Sequence, residues 1–323
     1  MTDQLALRAM AEHIEKNDDF LLIAHTSPDG DTLGSVLALT EAMLGMGKQV
    51  QTVCEHTVPH IYRFLPNFQR VLLPKDAKPA RHVIAVDCAD EERMGEARIF
   101  FDRADTTGNV DHHMTNASYA KLNVVNGGLA AAGELIFDLI GLLPWPMNKQ
   151  AATCLYCALM TDTGNFAYRN TRPSTLRIAA DLLERGADNN EINRMVYRTV
   201  PLCKQKLLGV ALTNAAFFAE GAIGLTYVTL EDFARVGASE EDTEGIIDHI
   251  RDVEGVEIAI LIREAGAGIY KVSLRSKLRA DVGAIAQSLG GGGHRQAAGC
   301  TIKGEYLDIY QKVTALAEKA VRA

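Results

Sequence analysis

The sequence predicts an α/β protein, with a mostly parallel sheet flanked by helices and joined through a helical linker to a smaller α/β domain. Two observations carry the prediction. Short apolar runs alternate with longer segments of helical periodicity over the first half of the chain, as in a parallel sheet covered on both faces. Several of those runs end in an acid or a histidine, and open α/β sheets gather ligands at the carboxyl ends of their strands. The 323 residues, 47% hydrophobic and 23% charged, suit about two domains. They fall into 1–190, a linker at 191–218, and 219–323.

Residues 1–16 read as an amphipathic helix with Leu7, Met10, Ala11 and Ile14 on one face. The run Leu21-Leu22-Ile23-Ala24 has strand length and ends at His25. A turn rich in Pro and Gly carries Asp29 and Asp31, and Gly34-Ser35 opens a helix that continues to Met46 and stops at Gly47. Strands follow at 48–54 and 81–87, the second ending in Asp87. A short helical piece lies between them at 59–65. Gly108-Asn109-Val110 is a short strand leading into Asp111-His112-His113. Helices are expected at 129–143 and 149–160, the latter running into Asp162. Helical segments on either side of Pro201 form the linker. The second domain reads as a strand at 222–230, a helix at 239–251 and a hairpin of 256–263 with 269–275 around Ala-Gly-Ala-Gly. A helix at 281–289 then runs into the glycines 290–293, and a terminal amphipathic helix closes the chain.

The polar residues at the segment ends are His25, Asp29, Asp31, Asp87, Asp111, His112, His113 and Asp162. Loops at one sheet edge converge, so these groups can meet. Carboxylates and imidazoles suit a first-row divalent ion, where a soft metal would want thiolates. With Asp29, Asp31, Asp87 and Asp162 as ligands beside neutral His25 and His112, four negative charges balance two divalent ions. Two ions about 3.5–4 Å apart suit in-line displacement at phosphorus.

His25-x-x-x-Asp29-x-Asp31, Asp87, Asp111-His112-His113 and Asp162 resemble the four motifs of the DHH phosphoesterase family, and 290–299 resembles the glycine-rich signature of its DHHA1 partner domain. The motifs span residues 21–299, nearly the whole chain. Length and layout resemble the family's two-domain oligoribonuclease and pAp-phosphatase group. The resemblance implies a Mn²⁺-dependent hydrolase with two ions per site. His25 and Asp29 would hold one ion, Asp31, His112 and Asp162 the other, and Asp87 would bridge. His113 would donate to a phosphate oxygen, and Asp111 would orient the histidines. Arg275 and Ser276 match a substrate-binding pair, with Gly291, Gly292, Gly293 and His294 close to the substrate. Relatives often carry small hydroxyl residues where this chain has Ala130-Ala131-Ala132.

The expected substrates are short single-stranded RNA fragments and 3′-phosphoadenosine 5′-phosphate, bound in a cleft between the domains. Alternatives are a cyclic-di-AMP or linear pApA phosphodiesterase, a long-strand exonuclease, an inorganic pyrophosphatase and a non-catalytic nucleotide sensor. A net charge of −8 argues against a broad duplex-gripping surface. No run of about 18 apolar residues is present to span a membrane. Six scattered cysteines point to a reduced, cytoplasmic compartment, and Cys154 and Cys157 read as core residues. A homodimer is implied by the family alone. Phe166 reads as a packing residue.

Overall fold

The computed structural model describes residues 2–322. The chain divides into two compact units, Met1–Thr199 and Val200–Ala323. The segment expected as a linker is split by that boundary, and its helix Leu202–Thr213 packs on the second unit through Leu207 and Ala211.

The first unit is built on six strands, β1 (Phe20–Ala24), β2 (Val50–Val53), β3 (Val71–Leu72), β4 (His82–Val86), β5 (Thr106–Asp111) and β6 (Leu122–Val125). Their order is β3-β2-β1-β4-β5-β6, and every pairing is parallel. The middle strands are buried on both faces, which is why they read as unbroken apolar runs. Leu22, Ala24, Ile84 and Val86 enter the core on one side, and Leu21, Ile23, Val83 and Ala85 enter the core on the other. Each large aliphatic side chain buried in this way contributes about 1.5–3 kcal/mol. Strand β6 and the helix Pro173–Glu184 add to what the sequence predicts.

The helices Gly30–Gly45 and Lys149–Asp162 lie against one another at Gly34. A β-carbon at that glycine would stand 2.4 Å from the carbonyl oxygen of Cys154 and 2.9 Å from Cβ of Ala158. Cys154 and Cys157 are buried in the same core, as the sequence indicates, and burial pushes both thiols well above their usual range.

The second unit holds a mixed sheet of β7 (Ala216–Phe218), β8 (Ile223–Val228), β9 (Ile258–Gly266), β10 (Ile269–Ser276), β11 (Gly292–His294) and β12 (Ala297–Lys303), in the order β11-β12-β10-β9-β8-β7. Only β8 and β9 run parallel; the other pairs are antiparallel. The helix expected over 239–251 is two pieces, Glu240–Thr243 and Ile246–Arg251, because Gly245 takes φ +84° between them. The tetraglycine is more ordered than a loop. Its last two residues enter β11, and Gly293, at φ +142°, has no room for a β-carbon, which would stand 2.5 Å from the Ala297 carbonyl oxygen.

Candidate metal centre

The carboxyl edge of the first sheet carries the polar cluster. His25 follows β1, Asp87 follows β4, and Asp111 ends β5 with His112 and His113 after it. Asp29 caps the helix Gly30–Gly45, its Oδ1 accepting from the amides of Asp31 (3.0 Å) and Thr32 (3.1 Å). That helix begins four residues earlier than Gly34, so Asp31 stands in its first turn. Asp162 is the last residue of its helix.

Three sets of ligand atoms lie within 4.8 Å of one another: His25, Asp29 and Asp87; Asp31, His112 and Asp162; and Asp87, His112 and His113. Asp87 joins them. Its Oδ2 lies 3.4 Å from His25 Nε2 and its Oδ1 3.5 Å from His112 Nε2. Asp87 also takes φ +59°, an uncommon conformation for a residue with a β-carbon of the kind that collects at functional sites. His112 Nε2 reaches Asp31 at 3.6 Å and Asp162 at 3.7 Å.

The histidines are oriented from behind. In the neutral ring, His25 Nδ1–H donates to the Thr26 carbonyl at 2.7 Å, which leaves the Nε2 lone pair facing the cluster. His113 Nδ1 lies 2.7 Å from Asp111 Oδ1, and Asn116 donates to the other oxygen of Asp111 at 2.7 Å. Asn109 and Tyr119 extend this network to the carbonyl of Cys88. Asn109, Asn116 and Tyr119 are not among the residues the sequence singles out. Asn109 was open to detection, since it stands two residues before Asp111 on one strand, on the same face.

Charge is concentrated here. Burial first, and then the neighbouring carboxylates, push Asp31 and Asp87 above the usual carboxylate range. Burial also lifts Asp162 to about 6. For His25, burial opposes the charge, but Asp29 and Asp87 outweigh it and raise the imidazole to about 9. Two backbone amides relieve Asp31: Ala132 N donates to Oδ2 at 2.7 Å and Gly133 N to Oδ1 at 3.0 Å. The alanine run therefore acts through its backbone.

Metal is the natural partner of this set. His25 Nε2 and Asp87 Oδ1 are buried without a hydrogen-bond partner, an arrangement that costs about 1–3 kcal/mol per group. Imidazole and carboxylate donors match a hard or borderline divalent ion. His25, Asp29, Asp31, Asp87, His112 and Asp162 fit such ions by position and donor type.

In the loop after Asp162, Phe166 packs edge-on against Tyr156, with centroids 5.8 Å apart, and belongs to the core margin. The exposed aromatic is Tyr168, 62% accessible.

In the second unit, Arg275, Ala297 and His294 stand in register across β10, β12 and β11. Residues paired in this way share one face, so Arg275 and His294 can address one ligand. Ser276, one residue on, alternates to the other face and is buried, with no partner for its Oγ. A cleft of about 410 Å³ beside the glycines is lined by Gly291, Gly292, Gly293, Asp281, Gln287 and Arg295. Among the described residues no helix is long and apolar enough to cross a membrane.

Comparison with known proteins agrees with this layout. Residues 19–159 match the family model described as DHH family, N-terminal domain, and 224–323 match the DHHA1 domain. The chain is 35% identical to the bifunctional oligoribonuclease and PAP phosphatase NrnA of Thermus thermophilus, over 98% of this chain and 95% of that one. It is 25% identical to the protein of the same description from Bacillus subtilis, over 88% and 90%. An exopolyphosphatase-related protein from Bacteroides fragilis has the same fold, with a TM-score of 0.90 at 24% identity, over 98% of this chain and 96% of that one.

Proposed function

Since the chain belongs to the DHH family with a DHHA1 domain, and is a hydrolytic phosphodiesterase or phosphatase, we propose that it cleaves short oligoribonucleotides to mononucleotides and 3′-phosphoadenosine 5′-phosphate to AMP, using two Mn²⁺ ions. The observation that carries the reading is the division of Asp87, one oxygen toward His25 and the other toward His112. That arrangement suits a carboxylate shared by two ions.

His25 and Asp29 would hold one ion, and Asp31, His112 and Asp162 the other. Such ions supply Lewis acidity to phosphoryl oxygens and lower the pKa of water. The chain's own groups do the rest. His113, with Nδ1 on Asp111, presents Nε2 as a donor to a phosphate oxygen. Asp111, fixed by Asn116, keeps that ring in place and favours its protonated form, since the hydrogen bond to Asp111 raises the His113 pKa. Arg275 and His294 offer the nucleotide a second set of contacts, with the glycine hairpin beside them. Ser276 has a part in this only if its strand end shifts. Tyr168 offers a base a stacking face. A single-stranded substrate belongs to the same reading, as does a cytoplasmic setting, which the six free cysteines support.

A product time course tests it. The purified protein with Mn²⁺ receives a short oligoribonucleotide, 3′-phosphoadenosine 5′-phosphate, cyclic di-AMP and a 24-mer RNA in parallel. Mononucleotide and AMP from the first two, with the 24-mer slow, is the expected outcome. Preference for the cyclic compound would move the function to dinucleotide turnover, and absence of turnover with any of the four would overturn the reading.

A further inference from the structure

Arg93 lies six residues beyond Asp87, in the turn that opens the segment Glu92–Ala97. Its carbonyl accepts from the Thr26 amide at 2.8 Å, so the Arg93 backbone is tied to the loop that carries His25. The side chain is half-buried, and its Nε is fully buried without a hydrogen-bond partner. Some arginines of this unit pair with acids, as Arg81 with Asp19, Arg98 with Glu91 and Arg194 with Glu191; what sets Arg93 apart is the burial of its unpartnered Nε. Among the described residues no carboxylate lies within 4.0 Å of the Arg93 guanidinium.

The charges around it leave this cation over. Asp29, Asp31, Asp87 and Asp162 carry four negative charges against two divalent ions, and Asp111 is paired with His113. Arg93, on a backbone tied to the His25 loop, has a buried Nε with no protein group to answer it, and a buried charge without a partner is costly. A phosphate would complete it, since the guanidinium fork matches phosphate geometry.

We infer that Arg93 is a phosphate-gripping catalytic residue, its guanidinium donating to a non-bridging oxygen of the phosphate held at the metal centre. The inference rests on the phosphoesterase reading above and deepens it, assigning the first unit a cationic phosphate contact besides His113 and the metal ions.

The test uses the full chain loaded with Mn²⁺, as parent, Arg93→Ala and Arg93→Lys. Inorganic phosphate is titrated calorimetrically into each, kcat and KM are measured on 3′-phosphoadenosine 5′-phosphate, and the Mn²⁺-induced rise in Tm is recorded. Arg93→Ala should lose about a hundred-fold in kcat/KM and bind phosphate about tenfold more weakly, with the Mn²⁺-induced rise intact. Arg93→Lys should fall between, since lysine keeps the charge without the fork. Millimolar guanidinium should restore part of the activity of Arg93→Ala only. Phosphate affinity within twofold of the parent, or a Mn²⁺ response lost in step with activity, would overturn the assignment. A parent that turns over no phosphoester would sink the functional reading instead, and the phosphate titration would still decide Arg93: a difference between parent and variant supports it, and equality overturns it.

Discussion

The amide of Ala132 donates to Asp31 Oδ2 at 2.7 Å, although the two residues are 101 positions apart. Asp31 also stands in the first turn of its own helix, so two helix N-termini face one carboxylate, which favours negative charge there. Ala132→Pro tests the bond. Ala131 is extended at φ −154° and ψ 152° and Ala132 is the first helical residue, a position that accepts proline. The variant should keep its helix, lose about 1–3 kcal/mol to crowding at this buried site, and bind Mn²⁺ about tenfold more weakly. Chelator competition measures the second effect. Unchanged metal affinity would mean the amide does not support the ligand.

Asp87→Asn should keep the left-handed conformation, which asparagine tolerates better than most residues, while removing the shared carboxylate charge. We expect loss of at least about a hundred-fold in kcat. In metal-free protein its Tm should equal or exceed the parent's, because one of several crowded carboxylates is gone. A metal-free Tm well below the parent's would identify Asp87 as a structural residue first.

Divalent ions should stabilise the protein. A ligand at a hundred times its Kd adds about 2.7 kcal/mol, so thermal melts should rise with Mn²⁺ and fall back with EDTA. A melting curve indifferent to Mn²⁺, Mg²⁺ and Co²⁺ would count against the metal centre.

Gly34→Ala should be severely destabilising for a one-carbon change. Its Cβ would press on the backbone of Cys154, and backbone cannot turn aside as a side chain does. A loss of about 3 kcal/mol or more is expected by chemical denaturation, despite the gain of about 1 kcal/mol in helix propensity. Because the two helices carry Asp31 and Asp162, the surviving folded protein should also bind metal more weakly.

Arg275→Ala should raise KM for nucleotide and leave Mn²⁺ binding intact, since Arg275 belongs to the second unit. Equal loss of metal in this variant and in Asp87→Asn would refute that division of labour.

Much of the first unit was legible because its middle strands are buried on both faces. Leu21-Leu22-Ile23 and Val83-Ile84-Ala85 announce themselves as apolar runs, and the ligands follow where the runs stop. Strand β6 escaped because it is short and half-exposed, with only Val124 fully buried. The helix at 239–251 was overextended because acids and aliphatics kept a helical period across Gly245, whose backbone angle no periodicity reports. The glycines at 290–293 signalled a turn, while their pairing with Ala298 and Gly299 depends on a strand that only tertiary packing aligns. Asn116 is not legible for another reason: its role lies in its partners Cys88, Asn109 and Asp111, and those come from other elements.

The contrast between the two sheets bears on how quickly each half takes shape. Parallel strands need crossover connections, and β1 must find β4 by bringing Phe20 to His82. The second unit starts with a nearby pairing, Ile269 with Gly266 at the turn of β9 and β10. Rates fall as contacts become less local, so refolding should show a fast phase from the second unit and a slower one from the first. The metal centre, assembled from segments scattered between His25 and Asp162, would then mature last, and recovery of activity would lag behind recovery of secondary structure.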